Sequence, residues 1–401
     1  MPLRIVFVFI LALAALLPSA RAASNELRVL ETNHYRIHTD LDRSLAEDLA
    51  RRMDAMYEEY ARRLANFDVD RSGKKFDVYL FNRREDYLKF TGGRANNTAG
   101  ITIPELNTVA AYLQTQGRDN LRHTLQHEAF HQFAHSVINN ELPPWIDEGL
   151  AGMFEEGIWT GRAFLLGQVP QRRVRQLQAD IATKRVVDFK TMMAMPLKEW
   201  NQSLEKDKVR GGTQYNQAWS MCHFLVYAGA DGHPKYRARF LDLLQRIHGN
   251  TPPMQAFEEA FSSNIDGFKT RWLQWAGDLQ PTPEATLMER QDILADMLIK
   301  FLQENRRFNA LDDFRDFLVS HGIRMQYSNG DLKWATDSDP RVYFRTLEGR
   351  GYNSGELYFD TRSGAPLPDL VLNSPGELKL RSRFYDLPHG EIEHELIVEG
   401  R

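Results

Sequence analysis

His127-Glu128-Ala129-Phe130-His131 is the stretch that decides the reading of this chain. It has the form H-E-x-x-H, a helical zinc pattern that carries its own base. Residues four apart on an α-helix lie one above the other on the same face, so His127 and His131 can aim two imidazoles at one point. Glu128 follows the first imidazole and can approach a water from the side. A catalytic zinc needs a third protein ligand and one open position. Working outward, Leu121 to Val137 contains no Gly or Pro and reads as one helix, with Asp119 or Asn120 able to cap its start. Asn139-Asn140-Glu141-Leu142-Pro143 then makes a turn. A second helix is expected from the prolines onward, since Pro is favoured in a first turn, and it would carry Glu148 back towards the histidines. His123, His127, His131 and His135 form an i, i+4 ladder, for which a solvated polar face is the competing reading. His123 and His135 are expected to line the cleft or support the site rather than to ligate.

The zinc helix followed by Trp145-Ile146-Asp147-Glu148-Gly149-Leu150-Ala151 resembles the gluzincin metallopeptidases, closest to peptidase MA-like families. The resemblance implies zinc held by His127, His131 and Glu148, with Glu128 as general base. Weaker echoes follow in Tyr215-Asn216-Gln217-Ala218-Trp219, in Ala256-Phe257 with Ala260-Phe261, and in Phe268 with Trp272. The resemblance as a whole covers roughly Leu27 to Leu279 and is strong only at the zinc motif. One departure stands out. Many gluzincins carry an acidic residue four positions after the ligand Glu, where it supports a histidine; here that position is Gly152, which leaves the supporting partner unidentified.

The expected fold is α+β, a zincin-like two-lobed catalytic domain with an N-terminal mixed sheet, the zinc helix and a helical second lobe, followed by a small β-rich C-terminal module. Tyr35 to Thr39, Phe76 to Phe81, Ala99 to Ile103 and Thr108 to Leu113 read as strands, and Asp42 to Leu64 as a long amphipathic helix. Thr108-Val109-Ala110-Ala111-Tyr112 could border the cleft and pair with an extended peptide, or be an ordinary sheet strand. The expected divisions are a leader at 1–22, a metallopeptidase domain at 27–280, a helical connector at 284–321 and the β module at 322–401. In the module Val342-Tyr343-Phe344, Glu356 to Phe359, Leu378 to Leu380 and Leu396 to Val398 read as β, and His389 and His394 as surface residues. The module carries no evident ligand set and is expected to be separable from catalysis.

Arg4, the apolar run Ile5 to Leu17 and Ser19-Ala20-Arg21-Ala22 have the form of a secretory leader cleaved after Ala22. An uncleaved anchor is the alternative, and no Cys follows the apolar run to take a lipid. A secreted or periplasmic chain follows, with no stable membrane insertion after cleavage. Net charge is −4, and −6 once Arg4 and Arg21 are removed, which argues against a general nucleic-acid binder. Cys222 is the only cysteine, so no intramolecular disulfide can form; its apolar setting marks it as a small buried residue. The chemistry expected is hydrolysis of a peptide or protein substrate by zinc and Glu128. Tyr215 is the expected oxyanion donor, with His223 in reserve on the same helix face, although Tyr215 could equally be a packing residue. Two other functions stay open, a zinc-binding protein without turnover and a non-peptidase hydrolase on a zincin scaffold.

Overall fold

The computed structural model describes residues 27–399 apart from 68–73, 94, 97, 139–140, 231–232, 324–325, 330–331, 336–338, 346–355, 374–377 and 388–389. The leader at 1–22 and His389 lie outside the described residues. The architecture is α+β: a mixed N-terminal sheet, a large helical region and a small C-terminal β module.

The sheet contains β1 (Arg28–Glu31), β2 (Tyr35–Thr39), β3 (Phe76–Phe81), β4 (Gly100–Ile103) and β5 (Thr108–Tyr112), in the order β1-β2-β3-β5-β4. β2, β3 and β5 run parallel, and β1 and β4 are antiparallel to their neighbours. β5 is buried along its whole length and paired on both sides, so Thr108-Val109-Ala110-Ala111-Tyr112 has no free edge for a peptide. The edge strands are β1 and β4, and β4 is the one next to β5 and α3. The apolar run of β5 is the pattern of a central strand with both faces covered.

α1 (Arg43–Arg63) packs against the helix that carries the H-E-x-x-H stretch, and α2 (Arg84–Phe90) packs on β3 and β5. The helix that carries the H-E-x-x-H stretch is α3 (Arg118–Val137), and α4 (Pro144–Glu155) follows it. Gly117 at φ 76°, not Asp119 or Asn120, occupies the N-cap of α3. Asp119 lies inside the first turn, where it pairs with Arg122 and accepts from the Leu396 N–H. The inner face of α3 places Phe130 and Phe133 against Tyr60 of α1, whose hydroxyl donates to the Gln126 carbonyl at 2.7 Å.

Two short hairpins, β6 (Ile158–Trp159) with β7 (Phe164–Leu165) and β8 (Gly229–Ala230) with β9 (His233–Pro234), punctuate the helical region. Its helices are α5 (Gln171–Ala182), α6 (Phe189–Ala194), α7 (Leu197–Lys206), α8 (Lys208–Tyr227), α9 (Arg237–His248), α10 (Pro253–Ala260) and α11 (Ile265–Asp278). α8 packs along α4, and Gly149 is what allows it. A Cβ at Gly149 would stand 2.6 Å from both the Ala218 carbonyl oxygen and the Cys222 sulfur. Gly149→Ala is therefore expected to destabilise the chain by about 1–3 kcal/mol, the usual cost of overpacking against backbone, read as a lowered denaturant midpoint. Cys222 is buried, its thiol close to the Trp145 and Ile146 carbonyls.

The C-terminal part holds α12 (Pro283–Gln303), α13 (Leu311–Ser320), the hairpin β10 (Gln326–Asn329) with β11 (Leu332–Ala335), and a four-stranded antiparallel sheet of β12 (Leu357–Asp360), β13 (Asp369–Asn373), β14 (Lys379–Asp386) and β15 (Ile392–Glu399). Val342-Tyr343-Phe344 is not a strand. It closes a 3₁₀ turn, Pro340–Phe344, started by Pro340 and by the Asp339 carboxylate accepting from Arg341 N–H. α12 and α13 do not behave as a connector. Their Leu294, Met297, Phe301 and Phe314 share one apolar core with Leu370, Leu380 and Phe384 of the module, so the packing boundary lies near Pro283 rather than at 322.

Candidate metal centre

The ladder on α3 is realised, and two of its histidines converge on α4. His127 Nε2 lies 3.1 Å from Glu148 Oε2, and His131 Nε2 lies 3.6 Å from the same oxygen. His127, His131 and Glu148 form a group whose ligand atoms all lie within 4.8 Å of one another. Pro144 in the first turn fixes where α4 begins, so Glu148 lies on its second turn, facing α3. Two imidazole nitrogens and a carboxylate oxygen are a donor set that suits zinc.

The other ring nitrogens explain why this set fits a metal. His127 Nδ1 faces Glu155 Oε2 at 3.3 Å, and His131 Nδ1 faces Asp147 Oδ1 at 3.0 Å. A carboxylate on Nδ1 fixes the ring and its tautomer and leaves Nε2 free to ligate. Gly152 is thus replaced in its supporting role by Glu155, three positions further on, and by Asp147, immediately before the ligand. Glu155 is held in turn by Arg173 at 3.2 Å, beside the Arg172 and Arg173 pairing to buried Glu156. Asp147→Asn and Glu155→Gln are each expected to weaken zinc binding about 10–100-fold while leaving the three ligands in place, measured by competition with a coloured chelator.

Charge bookkeeping agrees with that arrangement. Burial alone would favour neutral imidazole at His127, yet Glu148 and Glu155 outweigh it and hold the group up at about 10. His131 is raised as well, by Asp147 and Glu148 against burial. Burial acts to raise Glu148, and His131 and His127 overcome it to bring the carboxyl down to about 2. Asp147 and Glu155 are likewise lowered by their histidines, Glu155 also by Arg173, against burial. This partly buried set of carboxylates favours positive charge on its two histidines, and a metal ion could take the place of their protons.

Glu128 points into the same cleft. Its Oε2 accepts from the Thr102 hydroxyl of β4 at 2.8 Å, a contact the sequence did not announce. Gly100, also on β4, lies so close that a Cβ there would stand 2.5 Å from Thr124 Cγ2 and 3.2 Å from Glu128 Cγ. The Tyr215 hydroxyl donates to Glu148 Oε1 at 3.2 Å, and burial raises its pKa well above the ordinary tyrosine value, so it stays a donor. Tyr215 lines the cleft. His223 does not; it packs against Tyr227 and Trp275 with Nε2 near the Gly167 carbonyl, and burial lowers it to about 4.

His123 lines the cleft with Nδ1 on the Glu155 carbonyl at 2.6 Å, and exposed His135 reaches Asp147 Oδ2 at 3.5 Å. His131, His135 and Asp147 make a second compact group, which shares His131 with the first. Two glutamines fix the helix that carries all of this. Gln126 Nε2 lies within 3.0 Å of the Phe154, Glu155 and Gly157 carbonyls, and Gln132 Nε2 reaches those of Asp77 and Asn107.

Residues 122–242 match the family described as protein of unknown function, DUF1570. The DUF1570 segment contains all four motif residues, His127, Glu128, His131 and Glu148, and also Tyr215. It begins within α3 and ends in α9, so it excludes the N-terminal sheet and the C-terminal module. No curated protein matches the chain. Among the described residues, no helix is long and apolar enough to cross a membrane.

Proposed function

We propose that this chain is a zinc-dependent metallopeptidase of the gluzincin kind, hydrolysing peptide bonds with Glu128 as general base. One observation carries the reading: three zinc-type donors converge within 4.8 Å while a fourth side chain, Glu128, faces the same cleft without being needed as a ligand. A zinc ion held by His127, His131 and Glu148 supplies Lewis acidity to the scissile carbonyl and makes a water more acidic. Glu128, oriented by Thr102, accepts the proton of the attacking water and delivers it to the leaving amine. Tyr215 is the assigned donor to the developing oxyanion, being partly buried, protonated and beside Glu148. The free edge of β4 supports an extended peptide as substrate, since its outward N–H and C=O groups can pair with a chain laid beside Glu128. We read the working compartment as secreted or periplasmic from the leader-like N-terminus and the lone cysteine.

The test is a mixed peptide library incubated with the purified full chain, followed by mass spectrometry. Cleavage is expected with zinc bound, lost on chelation and restored by added zinc. A zinc-loaded chain that leaves every peptide intact overturns the reading.

A further inference from the structure

The cleft beside the metal centre holds about 1100 Å³, large against the roughly 300–1,000 Å³ of small-molecule sites. His127 and Glu148 line it with side chains only 17% and 14% exposed, so the metal centre lies deep in it. One wall is formed by α3, β4 and α4. A second wall comes from the C-terminal part, through Met288 and Ile299 of α12 and Ile392, His394 and Leu396 of β15.

The module expected to be separable is fastened to α3. Glu395 of β15 pairs with Arg122 at 3.0 Å, and the two side chains are 7% and 8% exposed, so this is a packed contact and not a surface bridge. Leu396 N–H donates to Asp119 at 2.7 Å, and the Arg118 guanidinium lies 4.6 Å from the centre of the Tyr385 ring. β15 is tied in turn to α12. His394 is not a surface residue: its side chain is 10% exposed, and its Nε2 lies 3.1 Å from Asp296 and 3.5 Å from Asp292. Behind the wall Leu396 and Val398 share an apolar core with Leu294, Met297 and Leu298 of α12. The β6 hairpin joins the two parts, with Ile158 in that core and Trp159 packed against the core that contains Phe130 and Trp145. The second wall is thus a packed part of the fold rather than a lid.

We propose that α12 and β15 form a fixed second wall of the catalytic cleft, so that the substrate is a single unfolded chain laid between the two walls and folded proteins are refused. The inference rests on the peptidase reading for the position of the scissile bond. A folded domain offering a loop to the metal centre would have to bring both arms of the loop, and the body behind them, into the cleft. An extended chain brings only itself, at about 3.3 Å per residue. Half-buried Met288, Ile299 and Ile392 give its side chains apolar contact on the C-terminal side.

Two measurements on the zinc-loaded full chain test this. In the first, one cleavable sequence is offered as a free peptide and as an exposed loop of a stable folded domain, a loop that an unrelated protease nicks. The peptide is expected to be cut, and the loop at least about a hundredfold more slowly, since its cleavage then follows the small unfolded population of the carrier. In the second, the chain carrying Glu128→Gln binds the same peptide with a photoreactive benzophenone residue placed at successive positions. Cross-links are expected on α12 or β15 as well as on α3 or β4. A loop cut as fast as the free peptide, cross-links confined to α3, β4 and α4, or no cross-link at any position would each overturn the proposal. Failure of the peptidase reading shows separately, as cross-links on both walls with no cleavage by the unsubstituted chain. Cleavage of loop and peptide alike leaves that reading standing and removes this one.

Discussion

Glu128→Gln should keep zinc at about one per chain and slow peptide hydrolysis by about a hundredfold or more. The two halves of that expectation come from different atoms. On the proposed reading the zinc donors would be His127 Nε2, His131 Nε2 and Glu148 Oε2, and Glu128 lies outside that group. Its carboxylate instead accepts from the Thr102 hydroxyl, and an amide oxygen can accept the same bond, so the side chain should stay where it is. What the amide cannot do is take a proton from water near neutral pH. The measurement is paired: metal content by elemental analysis, and kcat/KM on the best library peptide. Equal kcat/KM in both chains would put the chemistry elsewhere. Loss of zinc together with activity would instead make Glu128 a ligand and Glu148 suspect.

How far the sequence could be read depended on how local each contact was. His127, Glu128 and His131 lie within one helical stretch, where spacing alone fixes geometry, and Glu148 is separated from them only by one turn with prolines to start the next helix. The convergence of those four side chains on one cleft was legible, as were α1, β3 and the buried Cys222. The supports of the histidines were harder. Asp147 is adjacent to a ligand, but only the phase of α4 shows that it faces His131; Glu155 needs both that phase and the Gln126 clamp on the end of α4. Thr102 reaches Glu128 across 26 residues, through an edge strand that composition cannot tell from the central strand beside it. The C-terminal part was least legible. Its attachment runs through Arg122 to Glu395, a contact spanning 273 residues, and Arg122 in sequence is simply one more charge on a helix. Local pattern gave its strands but not the surface they face.

The two compact groups on α3 make the assignment of zinc itself open to a decisive comparison. His131 belongs to both, so a zinc lost on His131→Ala cannot distinguish them. His127 with Glu148 belongs to the first only, and His135 with Asp147 to the second only. His127→Ala is therefore expected to drop bound zinc from about one per chain to background, while His135→Ala retains it. Chemistry favours the first group. Its two nitrogens are both Nε2; His127 Nδ1 hydrogen-bonds Glu155, and His131 Nδ1 has Asp147 Oδ1 3.0 Å away though the pair is not aligned as a hydrogen bond, so carboxylates flank both rings on the side away from Glu148. In the second group His131 would have to give up its Asp147-facing nitrogen, and His135 is exposed to solvent and meets Asp147 only at 3.5 Å. Losing one of three protein ligands removes the geometry a catalytic zinc requires, and the remaining pair should not hold the ion through dialysis against a chelator. The reverse outcome, zinc kept by His127→Ala and lost by His135→Ala, would move the metal one helical turn along α3. Glu128 would then no longer be the residue after the first ligand, and the peptidase reading would fall with it.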